Sequence, residues 1–388
     1  MRKWLFIVVL LLAPMIIRAN TDSLSVAERN AAQGFNDTID RLAPDFVKVS
    51  YCVAEPGSTI PTAFEHSWLR LQCPAFGLDK SFTLEADLSG GIPFINNAPM
   101  KVVEVDTEEY LQTYQHDQRK VRAYELNLSP EEEQRLWELC DKELQYREKN
   151  NDLVFNSCSH ISLRLVREAI APKKIEYAPW DDKFLNRSVR EIMIDNINSR
   201  WIRFCLFLCG GRYEDVVRRE SALIIPSEQV EVWQKATVDG QPLIKCTEEL
   251  VAGGETEAEC WFTPLMMVLI LLLLSIANVF YKRTWLDWTL VSIQAVIGCL
   301  MIYLALVSNM SYVTWNHYMV LFTPLPLILF KWRDKWGVYY AGILVLWIIV
   351  CSLWPHKLID IEHIIIAMAI AVTMCKSKIQ KFISTKKI

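Results

Sequence analysis

The sequence predicts an α+β domain that faces water, followed by an all-α domain of five membrane helices. Three observations carry that expectation. Of 388 residues, 52% are apolar and only 22% charged, too apolar for an ordinary soluble chain and too long for one small domain. The charge divides unevenly: residues 1–260 hold 30 Lys and Arg against 41 Asp and Glu, whereas residues 261–388 hold 11 against 4. The basic part contains five long apolar segments. Composition excludes a disordered or collagen-like chain and a disulfide mini-scaffold. The acidic first part argues against nucleic acid, whose affinity is carried by Lys and Arg on phosphate.

Taken in order, Met1, Arg2 and Lys3 precede an apolar run from Trp4 to Ile17, then Arg18-Ala19-Asn20. A short basic start and an apolar stretch too short to span comfortably read as a secretory signal ending at Ala19. Residues 45–105 then alternate and are rich in Val, Thr and aromatics, notably Phe46–Val53, His66–Leu71 and Ser81–Glu85. Pro56-Gly57, Pro74 and Gly90-Gly91 punctuate them, so antiparallel strands are expected. Ser129-Pro130-Glu131-Glu132 opens a helix: Ser caps, Pro suits the first helical position, and Glu132 closes a capping box. Leu136, Leu139 and Leu144 share its apolar face. A second helix follows Cys158, with Ile161, Leu165, Val166 and Ala169 as its stripe. Residues 199–211 form a short apolar patch headed by Arg200 and Arg203, which suits either a buried core helix or a helix lying in a membrane interface.

The apolar segments are Phe262–Tyr281, Trp285–Val307, Trp315–Phe330, Trp336–Trp354 and Leu358–Cys375. Four approach the ~20 residues needed to cross ~30 Å of hydrocarbon; the third is short and carries Pro324 and Pro326. With the acidic part outside and five crossings, Lys282-Arg283, Lys331–Lys335 and the tail with Lys376, Lys378, Lys381, Lys386 and Lys387 all fall inside. The opposite loops hold only Lys357, the positive-inside pattern. The expected address is the cytoplasmic membrane, with the first domain in the periplasm and the C-terminus in the cytoplasm. Eight of the eleven cysteines lie in the exported part, where an oxidising compartment favours pairing. Cys246 and Cys260, flanking an acidic stretch, are the candidate disulfide. Cys205 and Cys209 have no further ligands at zinc spacing, so no metal site is expected.

The candidate chemistry centres on Cys158, in Asn156-Ser157-Cys158-Ser159-His160. A thiol at a helix start sits among N–H groups and partial positive charge, which favour thiolate and offer an oxyanion site. His160 lies two residues away and faces elsewhere on a helix. His66, opening a strand, is the candidate base, although a lone strand His is equally readable as a structural residue. A strand His and a helix-capping Cys is the arrangement of papain-like thiol enzymes, here with the His first, as in a permuted chain.

His66, then Glu85-Ala86 on a following strand, then Asn156-Ser157-Cys158 opening a helix resembles the permuted NlpC-like and lecithin:retinol-acyltransferase-like superfamily. Adding Arg119–Arg122, Leu126–Glu132, Trp201–Gly211, Trp315-Asn316, Pro324-Leu325 and five membrane helices, the chain resembles the Lnb family of bacterial lipoprotein N-acyltransferases. Glu65 stands where the resemblance expects Gly, and Ser157 where it expects Asn. The resemblance implies residues 1–19 as signal peptide, 20–260 as exported thiol acyltransferase domain, 261–376 as five-helix transmembrane domain and 377–388 as a cytoplasmic basic tail. It implies transfer of an acyl chain from a membrane phospholipid, through a Cys158 thioester, to the α-amine of a lipidated N-terminal cysteine on an exported lipoprotein, without a cofactor. His66 serves as base, Glu85 orients it, and Asn156 and Ser159 belong to the helix cap and oxyanion site. Asn316, His317, Asp360, Glu362 and His363, at the expected outer ends of the third and fifth crossings, are either hydrated interface groups or a polar cup for substrate. A membrane-anchored cysteine peptidase or cell-wall amidase, or a non-catalytic envelope scaffold, remains open as an alternative.

Overall fold

The computed structural model describes residues 47–386 apart from 58–61, 87–98, 146–148, 151–156, 180, 182–186, 212–222, 255–259, 282, 309–312 and 314. The expected signal peptide and Asn156 lie outside the described residues. In chain order the elements are β1 (Lys48–Ala54), β2 (His66–Cys73), β3 (Leu78–Ala86), β4 (Pro99–Asp106), α1 (Thr107–His116), β5 (Val121–Leu126), α2 (Pro130–Gln145), β6 (Lys149–Asn150) and α3 (Cys158–Ala169). They continue with α4 (Val189–Asp195), α5 (Arg200–Cys209), α6 (Pro226–Gln234), β7 (Thr237–Val238), β8 (Gln241–Pro242) and β9 (Ile244–Val251). The last are α7 (Pro264–Tyr281), α8 (Thr284–Val307), α9 (Leu325–Leu329), α10 (Arg333–Leu353) and α11 (Ile361–Lys386). The chain divides into two compact units: 47–198 with 223–254, and 199–211 with 260–386.

The first unit is α+β. Its antiparallel sheet runs β6-β4-β3-β2-β1-β5-β9, six strands of six to nine residues with the two-residue β6 at one edge. Strand alternation sends successive side chains to opposite faces. Val49, Tyr51, Leu69, Leu71 and Leu84 point to one face, where Leu136 of α2, Ile161 and Leu165 of α3 and Trp233 of α6 cover them. Cys52, Ala54 and Trp68 point to the other, against Tyr110 and Tyr114 of α1. The expected capping box opens α2: Glu132 N–H donates to Ser129 Oγ at 3.4 Å and Ser129 N–H donates to Glu132 Oε2 at 2.8 Å. β9, which sequence periodicity did not suggest, returns late in the chain to pair with β5. Its run Lys245-Cys246-Thr247-Glu248-Glu249 is mostly exposed because it forms the sheet edge. Cys246 and Cys260, the expected pair, are both exposed free thiols, and Cys246 Sγ donates to Glu125 at 3.3 Å.

The second unit is helical. Among the described residues, three helical stretches are long and apolar enough to cross a membrane: 264–281, 284–307 and 325–353. Leu273, Leu306 and Leu346 stand exposed on them, as a lipid-facing surface requires. The segment expected as a third separate crossing is not one continuous helix. His317–Met319 forms a 3-10 turn, Leu325–Leu329 a short helix, and the latter runs on through a second 3-10 turn into α10. Pro324 and Pro326 cannot donate, and the carbonyls freed between the turns are satisfied from neighbouring helices. Gln294 of α8 donates to Leu321 O at 2.6 Å, and Tyr340 OH donates to Val320 O at 3.2 Å. Gly298 permits this: any Cβ there would collide with the backbone of Phe322. α11 is 26 residues long, packs against α7 and α10, and carries Lys376, Lys378 and Lys381 in its second half.

α5, which lies in the stretch expected to belong to the exported domain, clusters with this helical unit. Ser199 Oγ caps it by accepting from Ile202 N–H. Trp201 Nε1 donates to Phe262 O at 2.8 Å, and Asn316 Nδ2 donates to Leu208 O at 3.0 Å. Phe204 stacks on His363 with centroids 5.1 Å apart. Its aromatic side packs against the helical unit.

Candidate active site

Cys158 is the first residue of α3, which leaves it beside N–H groups that have no partner inside the helix. Ser157, extended at φ −91° and ψ 175°, is the cap. Its Oγ lies 2.8 Å from His160 Nδ1, and its N–H donates to the same nitrogen at 3.4 Å. His160 thus takes the place a Glu or Gln holds in a capping box and is committed to the helix start. Cys158 itself is half-buried against the core beneath α3. Burial pushes the buried Tyr51 hydroxyl well above its usual range, and the charge available on Cys158 adds to that shift.

His66 opens β2. The ladder pairing Leu69 with Phe82, extended three residues, sets His66 opposite Glu85. Its Nε2 is 2.7 Å from Thr83 Oγ1 and 3.8 Å from Glu85 Oε1. Thr83 donates to Glu85 Oε1 at 3.2 Å, Tyr110 OH donates to the same oxygen at 2.7 Å, and Tyr114 OH donates to Tyr110 OH at 3.0 Å. Trp68 stacks on His66 at 5.9 Å and on Tyr114 at 5.1 Å. Burial lowers the His66 pKa from its ordinary value; Glu85 opposes that shift and Arg119 adds to it. Arg119 is fixed over the Tyr114 ring at 5.1 Å, and its Nε donates to Glu55 O at 2.7 Å.

The structure therefore brings His66 and Glu85 together, through Thr83, a residue the sequence reading did not single out. Its signal was available: Thr83 and Glu85 are i and i+2 on one strand and share a face. Cys158 and His66 belong to different faces of the sheet. β2 alternation turns His66 and Trp68 toward α1, whereas α3 covers the face of Ser67, Leu69 and Leu71. Among the described residues no hydrogen bond joins Cys158 to His66. Both flank residues tied to the start of α6. Ser159 Oγ donates to Ile224 O at 3.0 Å, Gln229 Nε2 donates to Ser159 O at 3.5 Å, and Tyr51 OH donates to Gln229 Oε1 at 2.7 Å. On the other side, Ser227 N–H donates to Glu65 Oε2 at 2.6 Å. Tyr114, raised chiefly by burial and then by Glu85, also feels the charge of Cys158. Beside Glu65 opens a cavity of about 240 Å³, lined also by Glu55, Arg122, Asp195, Asn196 and Ser227.

In the helical unit, three of the residues expected as a polar cup, Asn316, His317 and His363, gather around Tyr318. Asn316 Oδ1 accepts from Tyr318 N–H at 2.9 Å. His363 is buried against Phe204, Phe207 and Tyr318, and His317 Nδ1 lies 3.7 Å from Cys351 Sγ. Asp360 instead meets Lys357 at 3.2 Å on the wall of a groove of about 300 Å³ that also includes Trp354 and His356. Glu362 lies in the first turn of α11, half-buried. No group of three or more metal-ligating side chains occurs among the described residues.

The helical unit has a counterpart among known families: residues 255–387 match the model of the Lnb transmembrane domain. Neither a curated protein nor a solved structure matches the chain. That match covers the C-terminal third of the chain, the part that carries the membrane-length helices.

Proposed function

We propose that the protein is a membrane-bound lipoprotein N-acyltransferase of the Lnb type, with Cys158 as nucleophile and His66 as its base. The observation that carries this reading is the union in one chain of an Lnb transmembrane domain with an α+β unit holding a thiol at a helix start and a His66–Thr83–Glu85 array. In the first step the Cys158 thiol gives its proton to His66 as sulfur attacks the ester carbonyl of a phospholipid. The first-turn N–H groups at Cys158 and Ser159 hold the oxyanion. The ester C–O bond breaks, the lysophospholipid alcohol takes the proton back from His66, and an acyl thioester remains. In the second step the α-amine of a lipidated N-terminal cysteine attacks that carbonyl, the C–S bond breaks, and an amide forms while His66 returns the amine proton to the departing thiolate. A thioester suits the sequence because it is activated toward amines.

Both substrates are anchored in the bilayer, which accounts for the size of the helical domain. The loop charges support an exported first unit, with the C-terminus in the cytoplasm. Asn316, His317, Asp360, Glu362 and His363 are proposed as the substrate-facing end of that domain, Asp360 through its groove and Asn316, His317 and His363 through the cluster around Tyr318. The test is to incubate the full chain in vesicles containing isotopically labelled phospholipid, without acceptor, and to examine the Cys158 peptide by mass spectrometry. The labelled acyl mass is expected on Cys158 and absent from Cys158→Ala. No adduct in the wild type, or transfer that survives Cys158→Ala, overturns the reading. Acyl-independent peptide cleavage by the chain would instead favour a peptidase.

A further inference from the structure

We propose that Thr83 is the positioning residue that couples Glu85 to His66 and fixes which imidazole nitrogen is the base, an inference that rests on His66 acting as proposed above. Donor and acceptor arithmetic requires it. A carboxylate only accepts, so Tyr110 OH at 2.7 Å and Thr83 OH at 3.2 Å are placed as donors to Glu85 Oε1. Tyr110, having given its proton to Glu85, accepts from Tyr114 at 3.0 Å. Thr83 Oγ1 also lies 3.1 Å from Tyr110 OH, and whether its single proton goes to Glu85 or to Tyr110 that proton is committed, which leaves its oxygen at 2.7 Å to accept from His66. Nε2 therefore carries the proton, and Nδ1 carries the lone pair. Glu85 cannot do this alone, since its oxygen is 3.8 Å from Nε2 and beyond hydrogen-bond reach.

The chemical consequence concerns the protonated state. When Nδ1 takes the thiol proton, Nε2–H stays where it is and no tautomer exchange is required. The positive charge that develops on the ring is met by a hydroxyl already polarised by Glu85. Tyr110 and Tyr114, both buried, leave Glu85 little freedom to turn away. Arg119, which disfavours the protonated ring, is held back over Tyr114. Thr83 touches neither thiol nor ester in this scheme; it acts through His66.

The experiment compares Thr83→Val, which keeps the shape and removes the hydroxyl, with Thr83→Ser, which restores it. Loss of one hydrogen bond to a charged group lowers kcat by about ten- to a hundredfold in Thr83→Val, while KM for the acceptor lipopeptide changes by less than about threefold. The acid limb of the pH–rate profile moves downward, because the protonated ring has lost its partner. Thr83→Ser recovers activity to within about threefold of wild type. 15N spectra of labelled His66 show the Nε2–H tautomer in wild type and a mixture in Thr83→Val. Wild-type kcat with an unmoved acid limb in Thr83→Val, or a Thr83→Ser variant as impaired as Thr83→Val, overturns the proposal. Wild-type activity in His66→Ala removes instead the reading on which it rests.

Discussion

Replacing Asp287 by Ala strands two cations inside the helical unit. Asp287 is 1% exposed, and its Oδ2 meets Lys376 Nζ and Arg333 Nη1 at 2.8 Å each while Oδ1 accepts from Asn278 at 2.6 Å. One carboxylate thereby joins α7, α8, α10 and α11. At 2.8 Å and an effective dielectric of 20 each pair is worth about 6 kcal/mol of gross Coulomb energy, most of it offset by desolvation. The net loss on removing the acid is governed by the cation that cannot escape to water. Arg333 keeps 18% of its side chain exposed and can turn outward; Lys376, at 3%, cannot. We therefore expect Asp287→Ala to cost about 3–5 kcal/mol, the range for breaking a buried pair from one side. Asp287→Ala with Lys376→Met should cost at least about 2 kcal/mol less than the sum of the single changes. The assay is reversible unfolding of the full chain in mixed micelles, titrated with denaturing detergent and followed by tryptophan fluorescence. A loss below about 1 kcal/mol, or strict additivity of the two changes, would refute the reasoning.

Other expectations follow from the same geometry. His66 is held below its ordinary value near 6.5 by burial and Arg119, so the neutral base persists into mild acid. The acid limb of kcat/KM should fall below about pH 6.5 and rise in Arg119→Gln; a limb above 7 in the wild type would count against it. Gly298→Val should fail to seat the 317–324 segment against α8, read as a lowered unfolding midpoint in micelles, and a wild-type midpoint would show that the segment packs elsewhere. His160→Gln, which keeps a capping acceptor three residues after Ser157, should retain most activity, as its role is at the helix start; loss comparable to His66→Ala would make His160 a reacting group.

Local signals were readable in the sequence where local physics decides the structure. Alternation at 46–53 and 66–71, the Ser129–Glu132 cap and the apolar stripe after Cys158 all became the expected strands and helices, because each pattern follows the period of its element. Glu85 was named beside His66 through the family resemblance, and the β2–β3 pairing sets the two strands side by side. Thr83 had its signal in the i, i+2 spacing with Glu85, but its diagonal contact with His66 is set by the β2–β3 register. β9 escaped notice because an edge strand with an exposed outer face lacks apolar alternation. α5 was ambiguous because ten residues with one apolar face fit any apolar surface; its partners, His363 among them, lie more than a hundred residues away in sequence. The broken stretch at 315–330 carried its warning in Pro324 and Pro326, yet hydropathy alone could not show that Gln294 and Tyr340 would satisfy its backbone.

The central claim is that Cys158 moves an acyl chain onto lipoprotein amino termini. It is tested most directly by mass spectrometry of the N-terminal lipopeptides of exported lipoproteins, in cells lacking the gene and complemented with wild type or Cys158→Ala. The account predicts that the N-acyl group disappears in the deletion strain, returns with the wild type and stays absent with Cys158→Ala. N-acylation fully restored by Cys158→Ala would contradict it.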